Sequence, residues 1–285
     1  MKSLTRAIDR WSPSLSVRLR LLQKKARQDM SLAVIDHLVQ PGDFVLDVGA
    51  YRGVYTLALS RRVGPGGKVW AIEPFPPNFA ALEAAVGHRP NVRLVRGAAS
   101  SRSDRRSLAV PRYQGHQLGA LATLGRAPVA SDIVEVDLIA VDDLLGGVDA
   151  RDRVSFIRCD VVGHEAVALE GAARCIRNWH PAILAEIEQR HQETPIQATL
   201  DWLSDLGYDG YFLQDSRLVP LERFDLQRDQ LAYLDTGFVP YGMPSGYVHY
   251  FCFVAAGTDV GGLVRSRTPV GPNRRRPIRI RRASR

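Results

Sequence analysis

The chain has 285 residues, enough to bury a core in one large domain or two small ones, and its 45% hydrophobic and 24% charged residues are those of a folded globular protein. No uninterrupted apolar run approaches the roughly 20 residues of a membrane span. The net charge of +8 would suit a polyanion partner, yet residues 260–285 alone carry nine Arg and no acid, residues 1–30 carry +6, and residues 31–259 are left at −7. An acidic body between two basic ends excludes general nucleic-acid affinity for the fold and confines any such binding to the Arg-rich tail.

In chain order, residues 1–40 read as a helical extension, broken near Pro13 and resuming as an amphipathic segment in which Met30, Ala33, Val34, His37 and Leu38 recur at helical spacing. Pro41-Gly42 ends it. Apolar runs then alternate with helical patterns over a main domain at 41–257: FVLDV (44–48), VWAIE (69–73), VRLVR (92–96), VSFIRCD (154–160) and AILAEI (182–187). Phe79, Leu82 and Val86 mark one intervening helix, and Val167, Leu169, Ala172 and Ile176 another. This rhythm predicts parallel βαβ units with right-handed crossovers, a doubly wound α/β sheet.

An insertion at about 101–149 interrupts the rhythm, with SLAVP and DIVEVDLIAV forming a hairpin-like excursion around a Gly/Ala-rich loop at 114–127. The pattern resumes with a helix near 195–206, the strand GYFL (210–213) and the strand VHYFCFVAA (248–256). Residues 258–285 read as a basic, disordered tail. Cys159, Cys175 and Cys252 are odd in number and lack CxxC or Cys/His ligand spacing, so reduced, buried thiols are expected and no metal centre. The N-terminus has no compact apolar signal region, and a cytoplasmic location is expected.

The sharpest feature is VLDVGAYRGVYTLAL (45–59), a buried strand ending at Asp47 that passes through Gly49 and Gly53 into a helix. Gly49 lets the chain turn where a side chain would block a ligand, and Gly53 lets the helix pack closely while leaving backbone N–H groups free at its start. The full G-x-G-x-x-G of a dinucleotide fold is absent, which disfavours a nicotinamide-dependent dehydrogenase. The second strand ends in Glu73, a carboxylate able to accept both hydroxyls of a ribose. Turn and acid together outline an adenosine-type ligand.

In DVGAYRGVYTLAL, AIEPFPPNFAALEAAV, NVRLVRGAAS, VEVDLIAVDDLL, VSFIRCDVVGHEAVALEGA and PAILAEIE, over about residues 41–190, the chain resembles the FkbM-type S-adenosylmethionine-dependent methyltransferases. The resemblance implies a Rossmann-like class I methyltransferase fold, seven strands with the last antiparallel, and methyl transfer to a hydroxyl oxygen of a small molecule, sugar or secondary metabolite. It also implies that Asp47, Gly49, Ala50, Tyr51 and Gly53 form the cofactor loop, Glu73 and Pro74 the ribose-binding strand end, and Gly97 and Ala98 the adenine side. Asp160, Gly163 and Glu165 match the motif after the fourth strand, and Glu186 the acid of the fifth. The chain departs from the family at Tyr51, commonly Asn, at Arg158, commonly Lys, and at Val162, commonly Glu.

Transfer from a sulfonium is an in-line displacement in which the acceptor oxygen must be held and its proton removed. Ligands of open α/β sheets bind at the C-terminal strand ends, which makes Asp160, His164, Glu165 and Glu186 the catalytic candidates, with His191 nearby. His164 has the intrinsic pKa nearest neutrality, and Asp160 is best placed to orient substrate. Tyr113, His116, Tyr241 and Tyr247 are candidates for the acceptor pocket. Val162 and Arg158 motivate a second reading, a methyltransferase-like binding protein without turnover, and the tail a third, a nucleic-acid methyltransferase.

Overall fold

The computed structural model describes residues 11–113, 116–125, 130–149, 152–236 and 246–264. Ser12 caps helix α1 (Pro13–Ala26), its hydroxyl accepting from Leu15 N at 3.4 Å, and the proline takes the first helical turn, where no N–H is needed. The Asp29 carboxylate caps α2 (Met30–Leu38) in the same way. The break expected near Pro13 is thus a helix start.

The strands β1 (Phe44–Val48), β2 (Lys68–Glu73) and β3 (Val92–Arg96) alternate with α3 (Val54–Val63) and α4 (Pro76–Val86). The excursion follows, as β4 (Ala98–Ser100), β5 (Asp104–Tyr113), β6 (His116–Gln117) and β7 (Ser131–Ala140), and it forms a separate four-stranded sheet in the order β4-β7-β5-β6. After α5 (Val141–Leu145) come β8 (Val154–Cys159), α6 (Glu165–Glu170), α7 (Ala173–Trp179), β9 (Ala182–Glu186) and α8 (Gln197–Asp205). The chain closes with β10 (Tyr208–Gln214), β11 (Arg217–Pro220), α9 (Leu226–Asp229), β12 (Tyr250–Ala255) and α10 (Gly261–Val264).

The main sheet has eight strands in the order β11-β10-β12-β9-β8-β1-β2-β3. Strands β3, β2, β1, β8 and β9 run parallel, and β12 enters antiparallel between β9 and β10. Order and direction are those of the Rossmann-like methyltransferase sheet, with β11 added at the edge beyond the seven expected strands.

Side-chain alternation along each strand divides the core. Leu46, Ile157 and Ile183 pack with α6, α7 and α8 on one face, while Val45, Phe156 and Leu184 pack with α1 to α4 on the other. Two expectations fail for tertiary reasons. The single helix read through 167–176 is divided at Gly171, where a Cβ would overlap the backbone carbonyl of Ser100 on β4. Residues 258–264, assigned to a disordered tail, instead pack on the body: Val260 and Leu263 enter the core, and the Asp259 carbonyl lies 2.9 Å from His37 Nε2. The tail from 265 onward lies outside the described residues, as does Tyr241. Among the described residues no helix is long and apolar enough to cross a membrane.

Candidate functional site

A row of polar side chains crosses four adjacent strands on the face toward α1 to α4. Register produces it. Asp47 pairs with Arg158 across β1 and β8, Arg158 with Leu184 across β8 and β9, and Glu186 with Tyr250 across β9 and β12. Residues two apart share a face, so Asp47 follows Val45, Arg158 and Asp160 follow Phe156, and Glu186 follows Leu184.

Arg158 organises the row. Its Nη1 donates to Asp47 Oδ1 at 2.9 Å and to the Gly49 carbonyl at 3.2 Å, its Nη2 donates to Asp160 Oδ2, and its guanidinium lies 4.1 Å from the ring centre of Tyr55. Burial works against that charge, but Asp160 and Asp47 outweigh it and hold the guanidinium protonated. Asp47, wholly buried, also accepts from Thr56 Oγ1 at 2.6 Å. Tyr250 OH donates to Asp160 at 3.3 Å. Burial, followed by the neighbouring Asp160 and Glu188, pushes the Glu186 carboxyl well above the usual range. Two carboxyls sharing one buried site thus disfavour the charged form of Glu186.

Above this row lies a cavity of about 460 Å³. The loop after β1 forms one wall with Gly49, Ala50 and Tyr51, the end of β2 contributes Glu73 and Pro74, and Gly97 and Ala98 follow β3. Gly49 stands at φ +80°, and a Cβ there would overlap the Asp160 carbonyl oxygen, so only glycine allows the β1 and β8 loops to meet. Asp160, Val162, His164 and Glu186 line the opposite side.

Glu73 is buried and already accepts three hydrogen bonds: Tyr51 N on Oε2 at 2.9 Å, and Phe75 N and Asn78 Nδ2 on Oε1 at 3.0 and 3.1 Å. A carboxylate offers about four acceptor positions, so about one remains for a ligand hydroxyl rather than the two expected. Burial raises the Glu73 pKa to about 7 against the pull of those bonds.

Of the sequence candidates, Asp47 and Gly53 support the cavity from behind. Gly53 stands at φ +91° as the cap of α3, and a Cβ there would press on Leu82. Glu165 departs further from expectation: its Oε1 turns back to accept from Gly163 N at 3.0 Å and its Oε2 accepts from Gln192 at 3.1 Å, away from the cavity. Burial raises its pKa to about 8. His164 does face the cavity, its Nε2 lying 3.2 Å from Ser100 Oγ, and burial with Arg106 lowers its pKa, so it is neutral near pH 7.

Of the aromatic candidates, His116 and Tyr247 do not line the cavity, while Tyr241 and the side chain of Tyr113 lie outside what the structure describes. His116 is exposed, Tyr247 packs edge-on against Tyr233, and His191 lies 3.6 Å from Glu188. The insertion contributes small groups instead, Gly119, Ala120, Ala122 and Leu124, held down by Asn78 Nδ2 on the Gly119 carbonyl at 3.0 Å and by Thr123 Oγ1 on the Val162 carbonyl at 2.7 Å. Arg20, Gln23, Lys24 and Arg27 of the N-terminal extension complete the wall, with Lys24 Nζ donating to Tyr55 OH at 2.8 Å. Period-two spacing from Asp160 was a signal for Arg158, and nothing local marked Lys24, Asn78 or Tyr250.

Residues 47–209 match the Methyltransferase FkbM domain. Similar solved structures include the methyltransferase FkbM of Methylobacillus flagellatus, at TM-score 0.45 and 14% identity over 87% of this chain and 57% of that one. This chain thus spans little more than half the length of that protein. Others are the Aeropyrum pernix fibrillarin with natively bound S-adenosyl-L-methionine, at 0.45 and 14% over 81% and 74% of the two chains, and a Thermotoga maritima SAM-dependent O-methyltransferase, at 0.39 and 14% over 82% and 66%. No protein of curated function matches the sequence.

Proposed function

Since its match covers more than half of its length, the chain belongs to the FkbM methyltransferase domain family, and on that premise we propose that it is an S-adenosylmethionine-dependent O-methyltransferase acting on a hydroxyl of a small molecule. The residues present fit the cofactor. A cavity of about 460 Å³ lies within the usual range of ligand pockets, and its glycine turn keeps a wall free of side-chain bulk where a nucleoside conjugate would pass. Gly49, Ala50 and Tyr51 would hold the amino-acid end, the open position on Glu73 a ribose hydroxyl, and Pro74, Gly97 and Ala98 the base. When bound, the cofactor supplies an electrophilic methyl group on a sulfonium.

The protein's share of the chemistry is orientation and proton removal. Asp160, fixed by Arg158, accepts a hydrogen bond from the acceptor, and Glu186, whose proton burial favours, donates one beside it. His164, unprotonated in its buried setting, takes the hydroxyl proton. The observation that carries this reading is the convergence of Gly49, Glu73, Asp160 and His164 on one cavity.

Calorimetry with S-adenosylmethionine, followed by assay of S-adenosylhomocysteine release across a hydroxyl library, tests it. Binding with release supports the assignment, and absence of binding overturns it. Binding without release would favour the binding-protein reading, for which the hydrocarbon of Val162 on the cavity wall speaks. A cytoplasmic site of action belongs to the same proposal.

A further inference from the structure

Helix α1 has a second face that the cavity does not use. Of the five large hydrophobic side chains exposed among the described residues, four lie on or beside this one element: Trp11 at 88% exposure, Leu15 at 47%, Leu19 at 37% and Leu22 at 58%. Leu15, Leu19 and Leu22 follow the i, i+4, i+7 spacing of a single stripe, with Trp11 just before the cap. Val17 and Leu21 bury the inner face of the helix, so the stripe is not needed for the core. Monomeric surfaces scatter such residues singly, and a contiguous stripe marks an interaction site.

The charge around the stripe identifies the partner. The helix carries Arg18, Arg20, Lys24 and Lys25 and no acid. Arg18 and Lys25 are exposed within the stripe, one turn from Leu15 and Leu22 respectively. Burial, then the charges of Arg61 and Arg18, disfavour the Arg89 cation, so the cationic field of α1 reaches the body at Arg89. A second copy of the chain would bring Arg18 and Lys25 against themselves. A nucleic acid would leave the leucines and Trp11 without an apolar partner. Apolar side chains flanked by cations, on a helix of 14 residues lying along the surface, suit an anionic bilayer, whose headgroups meet the cations while its acyl boundary receives the stripe.

We propose that α1 docks the protein on anionic membrane surfaces, lying in the plane of the interface through Trp11, Leu15, Leu19 and Leu22 with Arg18 and Lys25 at the headgroups. The assignment is independent of the catalytic reading, because it uses the face of α1 turned away from the cavity.

The test is flotation of the full chain with phosphatidylcholine vesicles and with mixed phosphatidylcholine–phosphatidylglycerol vesicles. Flotation with the mixed vesicles only is expected, together with a shift of Trp11 emission to shorter wavelength that Trp11→Phe removes. Leu15→Asp with Leu22→Asp, both at exposed positions, should lower partitioning at least about tenfold. Arg18→Gln with Lys25→Gln should lower it several-fold. Deletion of residues 265–285 should preserve the Trp11 shift. Failure to float overturns the proposal. So does flotation that survives the leucine changes and disappears with the tail, which would assign binding to the tail alone. A dimer in light scattering that Leu15→Asp dissociates would assign the stripe to self-association, and loss of RNA binding by the Arg18 and Lys25 changes without vesicle binding would assign it to nucleic acid; either result overturns the membrane assignment.

Discussion

Arg158 and Asp47 sit directly opposite each other on neighbouring parallel strands and join in a buried ion pair at 2.9 Å. The same guanidinium reaches Asp160 and the Gly49 carbonyl, so one side chain ties the loop after β1 to the end of β8. Removing one member of such a pair leaves the other as an uncompensated buried charge. Arg158→Ala should cost about 3–5 kcal/mol in chemical denaturation. Arg158→Lys keeps a charge but loses the planar fork that serves three acceptors at once, and about 1–2 kcal/mol should be lost. Equal stability of Arg158→Ala and the parent would mean that the pair does not hold the two loops.

Gly49 and Gly42 both stand at positive φ, +80° and +92°, but only Gly49 is crowded, since nothing lies within 4 Å of a Cβ at Gly42. Gly42→Ala should therefore cost about 1 kcal/mol from backbone strain alone. Gly49→Ala adds a clash with the Asp160 carbonyl and should cost several-fold more, with loss of cofactor affinity. Thermal melts of the two variants separate strain from crowding, and similar melting points would refute the close approach of the loops.

Burial raises Glu73 to about 7 in the folded protein, so between about pH 4.5 and 7 the native state holds a proton that the unfolded chain has released. The contribution runs against the folded state as pH rises through that window, on the order of 3 kcal/mol at its upper end. Glu73→Gln should flatten this part of the stability profile measured by denaturation at several pH values. A ligand hydroxyl donates to the ionised form, so the affinity for S-adenosylmethionine should rise as pH passes through 7, and Glu73→Ala should weaken it by about 1–3 kcal/mol. A pH-independent calorimetric affinity would remove Glu73 from the binding site.

His164→Ala should lower kcat by roughly 10²- to 10⁴-fold with the cofactor Kd unchanged. Burial lowers the His164 pKa, so the acidic limb of the parent's rate profile should fall below the ordinary histidine range and vanish in the variant. Glu186→Gln puts an uncharged amide where burial already disfavours the carboxylate and should leave stability nearly unchanged. An unaltered kcat in His164→Ala would transfer the role of base to Asp160.

The sheet was legible because central strands such as β1 are buried on both faces and read as short apolar runs, and the cofactor-type loop because a glycine must stand where Gly49 meets Asp160. What escaped is set by distant neighbours. Gly171, between the two helices, packs against Ser100 of another sheet so closely that a Cβ would not fit. Lys24 reaches the cavity because Val17 and Leu21 dock α1 on the body, and no local pattern encodes that docking. A strand-end position makes Glu165 a catalytic candidate, yet its own loop supplies Gly163 N as a partner and turns the carboxyl from the cavity. His116 failed as a pocket residue because the insertion turns its small residues inward, with Asn78 holding Gly119 against the end of β2.

The three cysteines are all buried, on β8, α7 and β12, and burial raises each thiol, Cys175 and Cys252 to about 12. Thiolate is the reactive form, so the folded chain should resist alkylation at all three. The wild-type sequence thereby carries built-in labels for its own opening. Pulse alkylation read by mass would time the exposure of the parallel part of the sheet, the helical layer and the antiparallel strand β12 separately. Simultaneous labelling would identify a single cooperative unit, and early labelling of Cys175 would reveal a helical layer that peels from an intact sheet.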